Sequence, residues 1–219
     1  MTAIEGIDVD TDAAKLWISE TFNAPDADIV FQSSDSHQFY VHRKNLEVNC
    51  GGFDAEEIVA QGEVNLLPEA ASTLSLLFQF IYPNRHPSLE KEGFEVIAPL
   101  AYAAEKYKVF AAMNICHIRM LSFIPTHPLD LMKYGAYHDY PKIVDAAAPL
   151  VIGTATLVEV AQSLPSQMII AWIQYYQAWL DIVPLALHYQ VYELDDCTII
   201  ASSKGKKGKP YSSAKASNV

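Results

Sequence analysis

The stretch from residue 28 to residue 42, DIVFQSSDSHQFYVH, decides the fold of this chain. An apolar run at residues 29–31 is followed by the turn-forming residues 33–36. Residues 38–42 come next, and in them Phe39 and Val41 alternate with other side chains. Two short apolar runs separated by a Ser- and Asp-rich turn are typical of a β-hairpin. We therefore expect two antiparallel strands, with Phe39 and Val41 on the same face of the second strand.

Helical periodicity dominates the chain after this hairpin. Residues 43–63 indicate short helical pieces, and residues 64–67 indicate a third short strand. Apolar side chains then recur at helical spacing, which predicts helices over 70–82, 94–107, 110–123, 126–137, 141–149, 156–165 and 166–182. The sequence TLVE at 156–159 predicts a capping box. A hairpin followed by helices in tandem is the order of an α+β protein, in which helices cover a small sheet.

The helix predicted over residues 70–82 has a strong apolar face. Leu77, Phe78 and Ile81 fall on this face. We expect them to be buried against the hairpin residues Val30, Phe39 and Val41. Inward positions predicted for the helix at 110–123 are Phe110, Met113, Cys116 and Met120.

The N-terminal segment, residues 1–25, is acidic and predicts one short helix. Residue 11 or 12 is suited to cap its start, and Ala14, Trp17, Ile18 and Phe22 recur with the spacing of one apolar helical face. Two arrangements would bury this face. It packs either across a two-fold axis against a second copy of the chain, or on the chain's own domain.

Composition and charge narrow the class of protein. The 219 residues are 51% hydrophobic and include 26 acidic and 15 basic residues, with a formal net charge of −11. This balance argues against direct binding of nucleic acid, which needs a basic surface. The tail, residues 184–219, differs because five lysines follow residue 203, and we expect it to be disordered from about residue 202. The tail is either a nuclear-import or anionic-surface patch, or a solubilising segment.

The sequence contains none of the common motifs of catalysis or metal binding. Cys50, Cys116 and Cys197 form no CxxC pair, the histidines form no HxxxH or HExxH, and no GxSxG, GxGxxG or P-loop occurs. We therefore expect no enzymatic activity, no catalytic residue, no metal and no cofactor. Signal-peptide features and an apolar run of about 20 residues are also missing. These features indicate an intracellular protein of the cytoplasm, the nucleus or both, without membrane association.

Four segments, taken in order, resemble the motifs of the BTB/POZ domain family. They are DIVF at 28–31, FYVHRKNL at 39–46 with GF at 52–53, LSLLFQFIY at 74–82, and LAYAAEKY at 100–107. The segment YPNRHP at 82–87 is similar to the corresponding segment in a large fungal set of these proteins. The resemblance implies a BTB/POZ domain over residues 26–124. It also places residues 125–183 where many such proteins carry a helical BACK-type extension.

The resemblance further implies roles for individual residues. Its motif positions with structural roles are His42, Leu46, Phe53, Tyr82, Ala104 and Tyr107. Asp28 and Arg43 are implied to meet in a charged pocket on the dimer face, to which Trp17, Ile18 and Phe22 also belong. For Asp28 and Arg43, the alternative is ordinary surface charge at the ends of a strand and a helix.

The function that the resemblance implies is non-enzymatic protein–protein interaction. It takes one of two forms: homodimerisation, or adaptor binding to another protein such as a cullin ubiquitin-ligase scaffold. There are two alternatives. One is a transcription-associated regulator that recruits partners through the BTB domain, and the other is a cryptic enzyme. A fold by itself does not decide between them, because unrelated functions share folds.

Overall fold

The predicted hairpin is the centre of a four-stranded sheet in the computed structural model, which describes residues 16–53, 63–182 and 184. Strand β1 (Trp17–Asn23) precedes the hairpin. Strands β2 (Ile29–Gln32) and β3 (His37–Val41) pair antiparallel, with Phe31 opposite Phe39. At one edge β1 lies parallel to β3, and at the other edge β4 (Val64–Leu66) lies parallel to β2. The order across the sheet is therefore β1-β3-β2-β4.

Eight helices accompany the sheet in the described part of the chain. They are α1 (Arg43–Asn49), α2 (Ala71–Gln79), α3 (Phe94–Tyr107), α4 (Phe110–Ser122), α5 (Pro128–Tyr137), α6 (Pro141–Thr154), α7 (Leu157–Ser163) and α8, residues 166–182. The chain divides into two compact units, residues 1–164 and 165–219, so α8 belongs to the second. This architecture confirms the predicted α+β class. Within the described residues, no helix has the length and apolar character needed to cross a membrane.

The short helix predicted near the N-terminus is wrong for residues 17–23, which form strand β1. The segment is rich in β-branched and aromatic side chains, and these favour an extended backbone. The backbone of β3 also offers hydrogen-bonding partners to an extended segment beside it. A helix of only three turns would have to form all its hydrogen bonds internally, and such short helices are marginally stable. On the strand, Phe22 points into the core while Trp17 and Ile18 stay exposed. Ala14, the fourth member of the predicted face, lies outside the described residues.

The core forms where α2 packs on the hairpin. Leu77, Phe78 and Ile81 are fully buried, as predicted. Phe31 and Ile29, rather than Val30, are the β2 side chains that join this core. The alternation of a strand places residues 29 and 31 on the same face, so Val30 falls on the other.

Two predictions about the helices need correction. The helix predicted over 141–149 continues as α6 through Pro149 to Thr154, and α3 likewise continues through Pro99. Proline removes one backbone donor but need not end a helix whose face is buried in the core. In α4, Phe110 is 57% exposed instead of facing inward. The capping box at the start of α7 is confirmed, because the Thr156 hydroxyl accepts the Glu159 N–H and the Glu159 carboxylate accepts the Thr156 N–H.

A half-buried carboxylate joins α3 to the helices that follow. Glu105 accepts hydrogen bonds from the hydroxyl groups of Tyr134 on α5 and Tyr140 just before α6, the first at 3.0 Å. Burial and the neighbouring Glu105 raise the pKa of the Tyr134 phenol well above its usual 10, so this hydroxyl stays a hydrogen-bond donor. Within the first unit, these hydrogen bonds fix the position of α5 and of the start of α6 relative to α3.

Candidate interaction surface

The outer edge of the sheet presents apolar side chains from the start of β1 and from the residue before it. Leu16 and Trp17 are each 49% exposed, and Ile18 is 55% exposed. The Trp17 indole stacks on the imidazole of His37 on β3, with 6.3 Å between ring centroids. No strand of the described residues pairs with the other side of β1. A sheet edge with exposed apolar side chains is a place where another chain can pair or pack.

Phe22 does not belong to this surface, although the sequence analysis grouped it with Trp17 and Ile18. Its ring lies 6.2 Å from Phe39, 5.7 Å from Phe78 and 5.5 Å from Tyr82, measured between centroids. Only 5% of the residue is exposed. Phe22 therefore anchors β1 to the core, and the exposed surface is carried by the residues before it.

Asp28 and Arg43 do lie next to each other. The Asp28 Oδ1 atom accepts a hydrogen bond of 2.7 Å from the backbone N–H of Arg43, the first residue of α1. The residue before it, His42, makes no side-chain cap of its own. Asp28 therefore supplies the acceptor that the start of α1 needs, and its negative charge suits the positive end of the helix dipole. Pairing of the Arg43 guanidinium with this carboxylate stays a prediction.

His42 joins three elements at the corner between β3 and α1. Its Nδ1 atom lies 2.9 Å from the Tyr82 hydroxyl oxygen, and its backbone N–H donates to the same oxygen at 3.2 Å. On the other side of the ring, Nε2 lies 3.4 Å from Oδ1 of Asp26. Sequence analysis did not single out Asp26, because nothing in the local pattern says that the turn after β1 reaches this corner.

The chemistry of this corner favours a structural role over catalysis. Burial is the main cause that raises the pKa of the Tyr82 phenol, so Tyr82 stays protonated at neutral pH. The protonated phenol accepts a hydrogen bond from the His42 N–H and holds this corner in place. The thiols of Cys50 and Cys116 also stay protonated at neutral pH, since burial raises each pKa to about 12.

A cavity of about 300 Å³ opens at the C-terminal end of β1. It is lined by Thr21, Phe22, Ala24, Tyr40, Gln79, Tyr82, Asn84 and Arg85. The aromatic residues of this lining are Tyr40 and Tyr82, which are half-buried, and Phe22, which is buried. Arg85 is the one charged side chain among the lining residues, and it is exposed to solvent.

The remaining motif positions do not lie on this surface: Leu46, Ala104 and Tyr107 are in the core, and Phe53 is half-buried beside them. The Phe53 ring stacks on Tyr107 with 4.4 Å between centroids, and the Tyr107 hydroxyl donates to Oε2 of Glu69 at 2.7 Å. Glu69 was not identified from the sequence, because the loop before α2 is brought to α3 only by the tertiary fold. Among the described residues, no group of three or more His, Cys, Asp or Glu is placed to hold a metal ion.

Comparison of the sequence with models of known protein families and with curated proteins finds no match.

Proposed function

We propose that this chain is a non-enzymatic protein–protein interaction module of the BTB/POZ type that homodimerises through β1. The observation that carries the proposal is the exposed apolar set at the start of the outer strand β1, formed by Trp17 and Ile18 together with the preceding Leu16. The four ordered motifs and the α+β architecture agree with the family that the sequence resembles. A two-fold dimer would bury the same patch from both copies.

Charge favours β1 as the place where two copies approach. The chain carries a formal net charge of −11, so two copies repel each other over most of their surface. Glu20 is the one charged residue between positions 16 and 23. Repulsion is therefore weak along this strand, while the exposed indole and aliphatic groups gain from leaving water.

Adaptor binding to a partner such as a cullin scaffold is the second form of the proposal. The helix α4 offers a separate exposed apolar set for it, formed by Phe110, Ile118 and Leu121. A catalytic function has weaker support, because the Cys50 and Cys116 thiols and the Tyr82 phenol all have raised pKa values.

The dimer is tested by the double variant Trp17→Glu, Ile18→Glu, with mass measured by light scattering. We expect the wild type to have twice the mass of the chain at tens of micromolar, and the variant to be a folded monomer of 24.3 kDa. The matched control is Val48→Glu, Ile118→Glu, which adds the same charge at two exposed apolar positions on α1 and α4. The control should stay dimeric. A monomeric wild type, or a variant that keeps the dimer mass, would refute the proposal.

A further inference from the structure

We infer that the cavity at the end of β1 binds a small ligand in which a carboxylate is attached to a flat apolar group. The Arg85 guanidinium pairs with the carboxylate of this ligand. The inference goes beyond the proposed dimer, because a monomeric chain would present the same cavity. A volume of about 300 Å³ is at the small end of the range for ligand sites. It has room for one aromatic ring and a short acidic arm.

Arg85 has the properties that this role requires. It lines the cavity, is exposed, and makes no hydrogen bond or ion pair with any residue that the structure describes. The guanidinium group presents five N–H donors in a planar fork that matches the two oxygens of a carboxylate. A ligand would therefore gain a charge-assisted pair without breaking an existing one.

The apolar part of the cavity suits the rest of such a ligand. The half-buried rings of Tyr40 and Tyr82 line the cavity and give a wall on which another ring can pack, and the buried Phe22 ring lies behind Tyr82 at 5.5 Å between centroids. Thr21, Gln79 and Asn84 add uncharged hydrogen-bonding groups around this wall. A small cavity that combines an apolar wall with a few convergent polar groups is the usual form of a ligand site.

Nearby negative groups do not cancel the attraction of Arg85. Neither Asp26 nor Asp28 lines the cavity, and each already faces a partner: His42 Nε2 for Asp26 and the Arg43 N–H for Asp28. Four carbonyl groups at and just after the end of α2 are also occupied. Those of residues 77, 78, 81 and 82 accept hydrogen bonds from Phe80, Ile81, Asn49 and Asn84, respectively.

The test compares acids with their matched amides in a titration followed by amide chemical shifts in nuclear magnetic resonance spectra of the full chain. The probes are 3-phenylpropionate, 3-phenylpropionamide, and the peptide acetyl-Gly-Gly-Phe with a free or an amidated C-terminus. We expect at least one acid to bind about tenfold or more tightly than its amide, because the amide lacks the charge-assisted pair with Arg85. Tighter binding of 3-phenylpropionate than of the peptide acid would indicate a small-molecule ligand. Tighter binding of the peptide acid would indicate the C-terminal carboxylate of a protein or peptide.

Two variants assign the effect to Arg85. Arg85→Gln should reduce the affinity for the acid to that for the amide, and the shift changes in wild type should include Phe22 and Gln79. Lys133→Gln removes one positive charge from an exposed site on α5 and should leave binding unchanged. Equal binding of acid and amide, no binding of either acid, or an unaffected Arg85→Gln variant would overturn the inference. Light scattering on the same samples reports the dimer separately, so the two proposals fail independently.

Discussion

At the scale of single residues, Phe78 connects three strands to one helix. From α2, its ring lies 5.7 Å from Phe22 of β1, 5.5 Å from Phe31 of β2 and 5.4 Å from Phe39 of β3. Replacing Phe78 by Ala should lower the free energy of unfolding by about 3–5 kcal/mol, because the cavity left behind cannot collapse among rigid rings. Denaturant titration measures this loss.

Val48→Ala is the control for this change. Val48 is 74% exposed on α1, and surface truncations of this kind usually change stability by less than about 0.5 kcal/mol. A loss below about 1 kcal/mol for Phe78→Ala would mean that this ring is not the centre of the core.

Asp35 links stability to pH. A hydrogen bond from the Ser33 hydroxyl, and then one of 2.8 Å from the Ala71 N–H at the start of α2, hold the pKa of Asp35 below its usual 3.8. A carboxyl whose pKa is lower in the folded chain stabilises the fold above its unfolded pKa, and this contribution is lost as the pH falls through the folded pKa. Asp35→Asn should therefore make stability less dependent on pH between about pH 5 and pH 3.

Thermal unfolding at a series of pH values checks this expectation. Asp145→Asn is the matched control, because Asp145 is exposed on α6 and far along the chain from Asp35. Identical pH profiles for wild type and Asp35→Asn would contradict the assignment of this carboxylate to the start of α2.

At the scale of elements, the contact between the end of α1 and the end of α3 depends on Gly52. Its N–H donates to the Tyr107 carbonyl at 3.0 Å. A Cβ atom at this position would lie 2.7 Å from the Lys106 oxygen and 2.7 Å from the Tyr107 carbonyl carbon, both of them backbone atoms. Gly52→Ala should therefore cost about 1–3 kcal/mol, since α1 and α3 must move apart.

The neighbouring glycine gives the control for this prediction. A Cβ atom at Gly51 would meet only side-chain atoms of Lys108 and Phe110, at 3.4 Å or more. Both changes restrict the unfolded chain in the same way, so the difference between Gly51→Ala and Gly52→Ala isolates the clash. Equal denaturation midpoints for the two variants would show that the elements do not meet at Gly52.

The local sequence pattern was enough to predict most helices and strands, but not the contacts between residues that are far apart in the chain. The hairpin, β4, α2 to α5 and the capping box of α7 depend on neighbours within a few residues, and these could be predicted. Strand β1 could not, because its apolar spacing also fits a helix and the edge of β3 decides the outcome. The pairs Asp26–His42 and Glu69–Tyr107, and the cavity beside Arg85, depend on which loops the tertiary fold brings together.

At the scale of the whole molecule, the first unit has a core of its own. Its buried apolar side chains extend from Phe22 to Leu164, and the Glu105 hydrogen bonds tie α5 and α6 to α3 within it. A chain that ends after Leu164 should therefore keep one cooperative thermal transition. Far-ultraviolet circular dichroism on the fragment and on the full chain measures it. A broad, non-cooperative loss of helix in the fragment would show that the first unit does not fold alone.

The pairing of β1 with β3, and of Phe22 with Phe78, has a consequence for synthesis on the ribosome. The ribosome adds roughly 5–20 residues each second, so Phe22 emerges on the order of seconds before Phe78. For the first part of that interval β1 lacks its neighbouring strand β3, and for all of it Phe22 lacks the Phe78 ring that later covers it. The buried side chain of the first described strand to be made is thus covered only when α2 has left the ribosome, and until then this apolar segment is open to contacts with other nascent chains.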